Sequence, residues 1–338
     1  AKIPPCTSLD PYCPTVDVSF LTFETQFDLN TSIAYVEDEW QISDSVSIRG
    51  GVHYLTDDYL NHSDAEPRVR VDFEPSENWQ FYLAYGHYSQ LPQPEELAPF
   101  IGNQDLEYIT STHSVFGLKQ NFGNEWSWQL DLYYKELDNL PLANAASRYT
   151  NDASGTAYGV EILLNKKLTD KLYGWLAISV SQTERQNDLT QETSYFAYDK
   201  PIIINLVGNY KLTENLMFGI KWSVQSGALY TPIVDVQPNA SDPTITEPVY
   251  GELNSERHSL YHRLDLRAEY TQTTRFGLWS AFVDVLNAYN AKNIQGYSYA
   301  PNGNNTISST PDGFGENVPV SRSEGLGFFP SIGFKIQF

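Results

Sequence analysis

The chemistry-bearing residues are few and clustered. The run Asp57-Asp58-Tyr59-Leu60-Asn61-His62-Ser63-Asp64 gathers oxygen donors that suit a hard cation. Asp57, Asp58 and Asp64 are therefore candidate calcium ligands, although their spacing is not that of an EF-hand and a solvated acidic loop has the same composition. Tyr195, Phe196, Tyr198, Tyr230, Tyr250, Tyr297 and Tyr299 fall in connecting segments and offer ring faces on which a ligand can stack; packing within the loops is the competing reading. The six histidines show no metal-ligand spacing, and His258 and His262, four apart, suit surface or interface roles. There is no Gly-Xaa-Ser-Xaa-Gly elbow and no glycine-rich phosphate cradle, so no enzymatic activity is expected. A formal charge of -21 argues against a nucleic-acid partner. Cys6 and Cys13 sit close together among prolines, which suggests a stapled loop in an oxidising compartment; the alternatives are two free thiols or a partial metal site, and two sulfurs with no nearby His argue against zinc.

The elements that must position these residues are strands. In Ser331-Ile332-Gly333-Phe334-Lys335-Ile336-Gln337-Phe338, the residues Ile332, Phe334, Ile336 and Phe338 share one side and polar or small residues share the other. Such a period of two marks a strand between unlike media. It recurs along the chain, as in Trp126-Ser127-Trp128-Gln129-Leu130-Asp131-Leu132 and in Leu264-Asp265-Leu266-Arg267-Ala268-Glu269-Tyr270. The pattern predicts about 13 strands, over 33–43, 46–56, 66–74, 79–89, 112–122, 125–137, 156–167, 171–184, 199–211, 215–226, 258–271, 275–287 and 327–338. So many long amphipathic strands need more core than one soluble layer pair provides.

Connections alternate in length. Short turns fall at Asp44-Ser45, Pro75-Ser76-Glu77-Asn78, Gly123-Asn124, Thr169-Asp170, Thr213-Glu214 and Gln272-Thr273-Thr274. Long ones fall at 90–111, 138–155, 185–198, 227–257 and 288–326, with a shorter one at 57–65. Short turns on one rim and long loops on the other are the mark of an outer-membrane β-barrel, whose surroundings are lipid and lipopolysaccharide. Aromatic residues make up 14% of the chain, and such an excess suits rings anchored at both membrane interfaces. The fold class read here is all-β, an antiparallel transmembrane barrel in the bacterial outer membrane. Residues 1–30 form an extracellular segment with the Cys6–Cys13 staple, and residues 31–338 form the barrel portion.

Ordered motifs over nearly the whole chain give a family resemblance. They include Ile33-Ala34-Tyr35-Val36-Glu37-Asp38-Glu39-Trp40-Gln41-Ile42, Tyr82-Leu83-Ala84-Tyr85-Gly86-His87-Tyr88-Ser89, Pro92-Gln93-Pro94-Glu95-Glu96-Leu97 and Tyr158-Gly159-Val160-Glu161. Ser226-Gly227-Ala228-Leu229-Tyr230-Thr231-Pro232, Phe282-Val283-Asp284-Val285-Leu286-Asn287-Ala288-Tyr289-Asn290 and Pro330-Ser331-Ile332-Gly333-Phe334 follow. In this order they resemble the carboxyl-terminal part of TonB-dependent outer-membrane receptors. The resemblance implies a barrel of about 22 strands, of which this chain matches the carboxyl-terminal portion, and a plug domain for which the chain has no segment. It also implies energy-coupled uptake of a scarce ligand (a metal complex, siderophore, glycan or peptide) with the TonB complex as partner. A passive channel and a structural or adhesion barrel are the other two expectations.

Overall fold

A computed structural model describes residues 26–144, 148–169, 171–239, 246–299 and 320–337. Cys6, Cys13 and Phe338 lie outside the described residues. The elements are β1 (Thr31–Ser43), β2 (Val46–Asp57), β3 (Ser63–Ser76), β4 (Trp79–Gln90), the single helical turn α1 (Pro94–Leu97), β5 (Ile109–Phe122) and β6 (Trp126–Asn144). They continue as β7 (Arg148–Lys166), β8 (Leu172–Asn187), β9 (Thr193–Tyr195), β10 (Ile202–Lys211), β11 (Leu216–Gln225), β12 (Leu229–Tyr230), β13 (Ile233–Pro238) and β14 (Thr246–Tyr250). The last are β15 (Glu256–Arg257), β16 (Tyr261–Thr274), β17 (Gly277–Leu286), β18 (Ile294–Tyr299), β19 (Val320–Glu324) and β20 (Phe329–Gln337).

One antiparallel sheet carries the molecule, in the order β1-β2-β3-β4-β5-β6-β7-β8-β10-β11-β16-β17-β20, with β9 attached to β8. The remaining strands form three small hairpin sheets within the long connections: β12 with β15, β13 with β14, and β18 with β19. The chain divides into two compact units, residues 1–120 with 130–160 and 181–199, and residues 121–129 with 161–180 and 200–338.

In the first unit the register places Val69 beside Tyr85, Val71 beside Leu83, and Leu83 beside Phe116, all exposed. In the second, Ile220 faces Leu266, Leu266 faces Val285, Val283 faces Ile332, and Ala281 faces Phe334. Ile332 is 83% and Phe334 63% exposed. Leaving one large apolar side chain in water forgoes about 1.5–3 kcal/mol. Rows of them across a sheet call for an apolar surrounding, which the hydrocarbon of a membrane supplies. No helix among the described residues is long and apolar enough to cross a membrane; the strands are what is built to do so.

The opposite face is a ladder of ion pairs. Arg70 donates to Asp72 at 2.7 Å, Arg263 to Asp265 at 2.7 Å, and Arg267 to Glu269 at 3.1 Å and Asp284 at 3.0 Å. Arg49 reaches back across the ladder to Glu39 at 2.7 Å. Two aromatic rings fill glycine gaps on neighbouring strands: Tyr82 lies opposite Gly117 and Phe282 opposite Gly333. A Cβ at Gly117 would stand 1.9 Å from the Tyr82 ring, and one at Gly333 2.0 Å from the Phe282 ring. Arg70 stacks on Tyr82 and Arg267 on Phe282, so each ring is clamped between a glycine and a guanidinium.

All thirteen predicted strands are present. The departures are local. The connection expected at 138–155 is mostly strand, because β6 and β7 continue as a hairpin in which Leu140, Leu142 and Ala153 bury one another. The turn expected at Gln272–Thr274 moves to Arg275 and Phe276, since Thr273 pairs with Leu278 and Thr274 with Gly277. The strand expected from residue 258 begins at Tyr261, because His258 belongs to the loops: its N–H donates to the Ala228 carbonyl at 3.0 Å. Buried apolar residues gather under the long connections, at Leu97, Leu106 and Tyr108 in one unit and at Leu229, Tyr230, Ile233 and Ala291 in the other.

Candidate functional site

The long connections are ordered by buried polar groups, and the acidic run is one of them. Asp57, buried, accepts the Tyr59 and Leu60 N–H groups at 2.9 and 2.6 Å and the Tyr108 hydroxyl at 2.6 Å. Burial, with Asp57 as acceptor, pushes the Tyr108 phenol well above its usual range. Asp58 accepts the Asn30 side-chain and backbone N–H groups at 2.8 and 3.0 Å, and those bonds hold its carboxyl below the usual range. Asp64 accepts its neighbour Ala65 N–H and meets His87 at 3.1 Å. Each carboxylate thus has its own protein donors. Among the described residues, no three His, Cys, Asp or Glu side chains converge as metal ligands.

In the first unit, Tyr195, Phe196 and Tyr198 come together at the end of β8. Asp199 accepts the Thr183 N–H at 2.7 Å, and Phe196 N–H donates to the Thr183 carbonyl at 2.9 Å, folding the segment back on β8. Tyr198 is 66% exposed and packs edge-on to Phe196 at 5.4 Å. The Arg185 guanidinium lies 4.1 Å over the Phe196 ring. On β8 the even positions run apolar at Leu172, Leu176, Ile178 and Val180 and then give way to Gln182, Glu184 and Gln186, so Arg185 stands beyond the apolar band. Burial there pushes its pKa down to about 10. Beside it is a cleft of about 480 Å³, lined by Glu136, Asp138, Ser154, Gly155, Glu184 and Arg185 among others.

In the second unit, Tyr230 stacks on His258 with ring centres 4.5 Å apart, and Tyr297 closes the group at 5.7 and 5.1 Å from the two. Tyr230 is only 5% exposed, so its ring faces are taken by the protein. Both His258 ring nitrogens are buried without a hydrogen-bond partner, and burial lowers its pKa. Gly227 makes this possible: a Cβ there would lie 1.9 Å from the His258 carbonyl oxygen. Tyr250 ends β14 partly exposed, and Tyr299 pairs with Val320. Asn287, fully buried, accepts the Ala291 N–H and donates to the Ala291 and Leu326 carbonyls, pinning both ends of the last long connection.

Arg185 was not legible as a site residue from aromatic content alone, yet a signal exists. Arg68, Arg70, Arg263, Arg267 and Arg322 each have a carboxylate two residues away on the same strand face and pair with it. The corresponding neighbours of Arg185 are Thr183 and Asn187; Arg49 and Arg148 lack such a carboxylate too, so the spacing narrows the choice to three arginines of the main sheet, of which Arg49 pairs with Glu39 on β1.

The family model for the TonB-dependent receptor-like β-barrel matches residues 4–294. The chain belongs to that family. Its sheet is similar to the ferric-catecholate import receptor Fiu of Escherichia coli K12, with a TM-score of 0.64 and 12% identity over 92% of this chain and 45% of that one. It is similar also to the FrpB iron transporter of Neisseria meningitidis (TM-score 0.59, 14% identity, 90% and 45%). A third likeness is to the outer-membrane transporter YddB of Escherichia coli (TM-score 0.58, 14% identity, 90% and 45%). The chain thus spans under half the length of the structures it matches. No curated protein matches. Family and neighbours place the barrel in the bacterial outer membrane, which supplies the lipid that the apolar face requires.

Proposed function

We propose that this barrel serves energy-coupled import of a scarce ligand, an iron complex first among the candidates, with TonB and a plug domain as partners. The observation that carries the reading is the pairing of a receptor-family sheet with an end of β8 where Arg185 lines a polar cleft and the following segment carries the exposed rings Tyr195 and Tyr198. Rings recognise the planar or apolar parts of a ligand, and the cation recognises an anionic part. Two of the similar structures are named as iron importers, which supports an iron complex over a glycan or peptide.

The test is uptake of radiolabelled ferric complexes, catecholate and hydroxamate, by cells expressing the intact gene with and without a functional TonB system. Accumulation that needs both the gene and TonB is expected. Accumulation indifferent to TonB makes the barrel a passive channel. No accumulation of any complex, together with stable capture of a protein partner, makes it an adhesion or structural barrel.

A further inference from the structure

We infer that Arg185 is the anchor for an oxyanion, a carboxylate or phosphate group carried by a small soluble ligand that enters the cleft beside it. The inference deepens the import reading by assigning a ligand chemistry to its site.

Four observations converge. Arg185 has no protein counter-ion: among the described residues no Asp or Glu oxygen comes within 4.0 Å of its nitrogens. Its Nε is buried with no hydrogen-bond partner, and its Nη1 donates only to the Glu184 carbonyl, at 2.9 Å. The residue is part-buried and lines the cleft, and a guanidinium there without a counter-ion is costly unless an anion reaches it through that opening. In a chain with twice as many acidic as basic residues, the absence of a partner is not for want of carboxylates.

The guanidinium is also held ready. Phe196 supports one face at 4.1 Å. Gly155 clears space on the β7 side, where a Cβ would stand 2.9 Å from Nη1, 3.0 Å from Cδ and 2.6 Å from the Glu184 carbonyl oxygen. A planar fork fixed on an aromatic ring suits two-pronged recognition of an oxyanion. Arg185 shares strand parity with Ser179, Ser181 and Thr183, opposite the exposed Val180, so the site turns away from the lipid side. Glu136, Asp138 and Glu184 also line the cleft, and Glu184 accepts a bond from Gln182 at 2.6 Å. Their charge disfavours a bare polyanion and favours a ligand that presents its anionic group locally.

The test uses the full chain folded in micelles of a non-ionic detergent. Arginine Nε–H resonances are followed by NMR while sodium phosphate, sodium citrate or sodium chloride is added at constant ionic strength. A saturable shift of one resonance by phosphate or citrate, absent with chloride and lost in Arg185→Gln, is expected. Arg185→Gln weakens binding by about tenfold or more, and Arg185→Lys by less, as loss of a charge-assisted fork predicts. Gly155→Ala keeps the charge but displaces it, and weakens binding while gel mobility of the folded form is unchanged. No saturable shift, a shift retained in Arg185→Gln, or a response only to added lipopolysaccharide overturns the assignment. Because binding is read without energised cells, TonB-dependent uptake persisting with no anion response removes this inference and leaves the import reading standing.

Discussion

At the scale of single residues, His258 and Tyr108 show how the loops are held. His258 is buried neutral, and its folded pKa lies below the ordinary value of about 6.5. The unfolded loop therefore binds the proton more readily, and the stability of the Tyr230–His258–Tyr297 packing is fully present above that value and declines as pH falls through it toward the depressed pKa. Protection from hydrogen exchange over 226–232 and 256–258, taken relative to the intrinsic amide rate at each pH, is expected to fall on acidification from pH 7 to 5, and His258→Phe is expected to abolish that dependence. Tyr108→Phe removes one of the three donors on the buried Asp57 carboxylate. We expect a loss of about 1–3 kcal/mol, read as faster exchange across the 91–108 connection. Little of this was legible beforehand. Tyr230 and Tyr198 are the same residue type in connecting segments, and only packing decides that one is enclosed and the other open. The bias that exposes Arg185, a strand arginine without a carboxylate two positions away, is readable only once the other arginines are seen paired.

At the scale of elements, the alternation that two media impose is strong enough to place thirteen strands of the main sheet; the short β9, inside the connection expected at 185–198, carries no such signal. Where the media stop differing, the signal stops too: β6 and β7 run on beyond the apolar band, and the short hairpins β12–β15 and β18–β19 are set by loop packing rather than by a periodic face. Phe334→Lys on β20 introduces a charge into the lipid-facing row and is expected to cost about 2 kcal/mol or more, measured as a lower urea midpoint for folding into vesicles. Lys335→Ser, one residue along on the other face, is expected to change it by under about 0.5 kcal/mol. Cysteine at Asp131 is expected to react readily with a membrane-impermeant maleimide in outer membranes while cysteine at Leu132 does not; the reverse result contradicts the facing of β6. Gly117→Ala forces Tyr82 off its seat and costs about 1–3 kcal/mol through overpacking, with loss of the Arg70–Tyr82 stack visible in tyrosine fluorescence.

For the molecule as a whole, the sheet inverts the usual distribution of a globular protein: large apolar side chains are widely exposed, and the buried ones collect beneath the connections. That inversion was readable from the sequence, since it is the alternation itself repeated in strand after strand. The ladder of arginines and carboxylates on the reverse face has a further effect. Each positive group there is cancelled by a negative one within a few ångströms, so at distances beyond about one Debye length of 8 Å those pairs present almost no potential. A charged group near those pairs feels them only at short range. Longer-range attraction then falls to charges that no neighbour silences, and Arg185 is one of them.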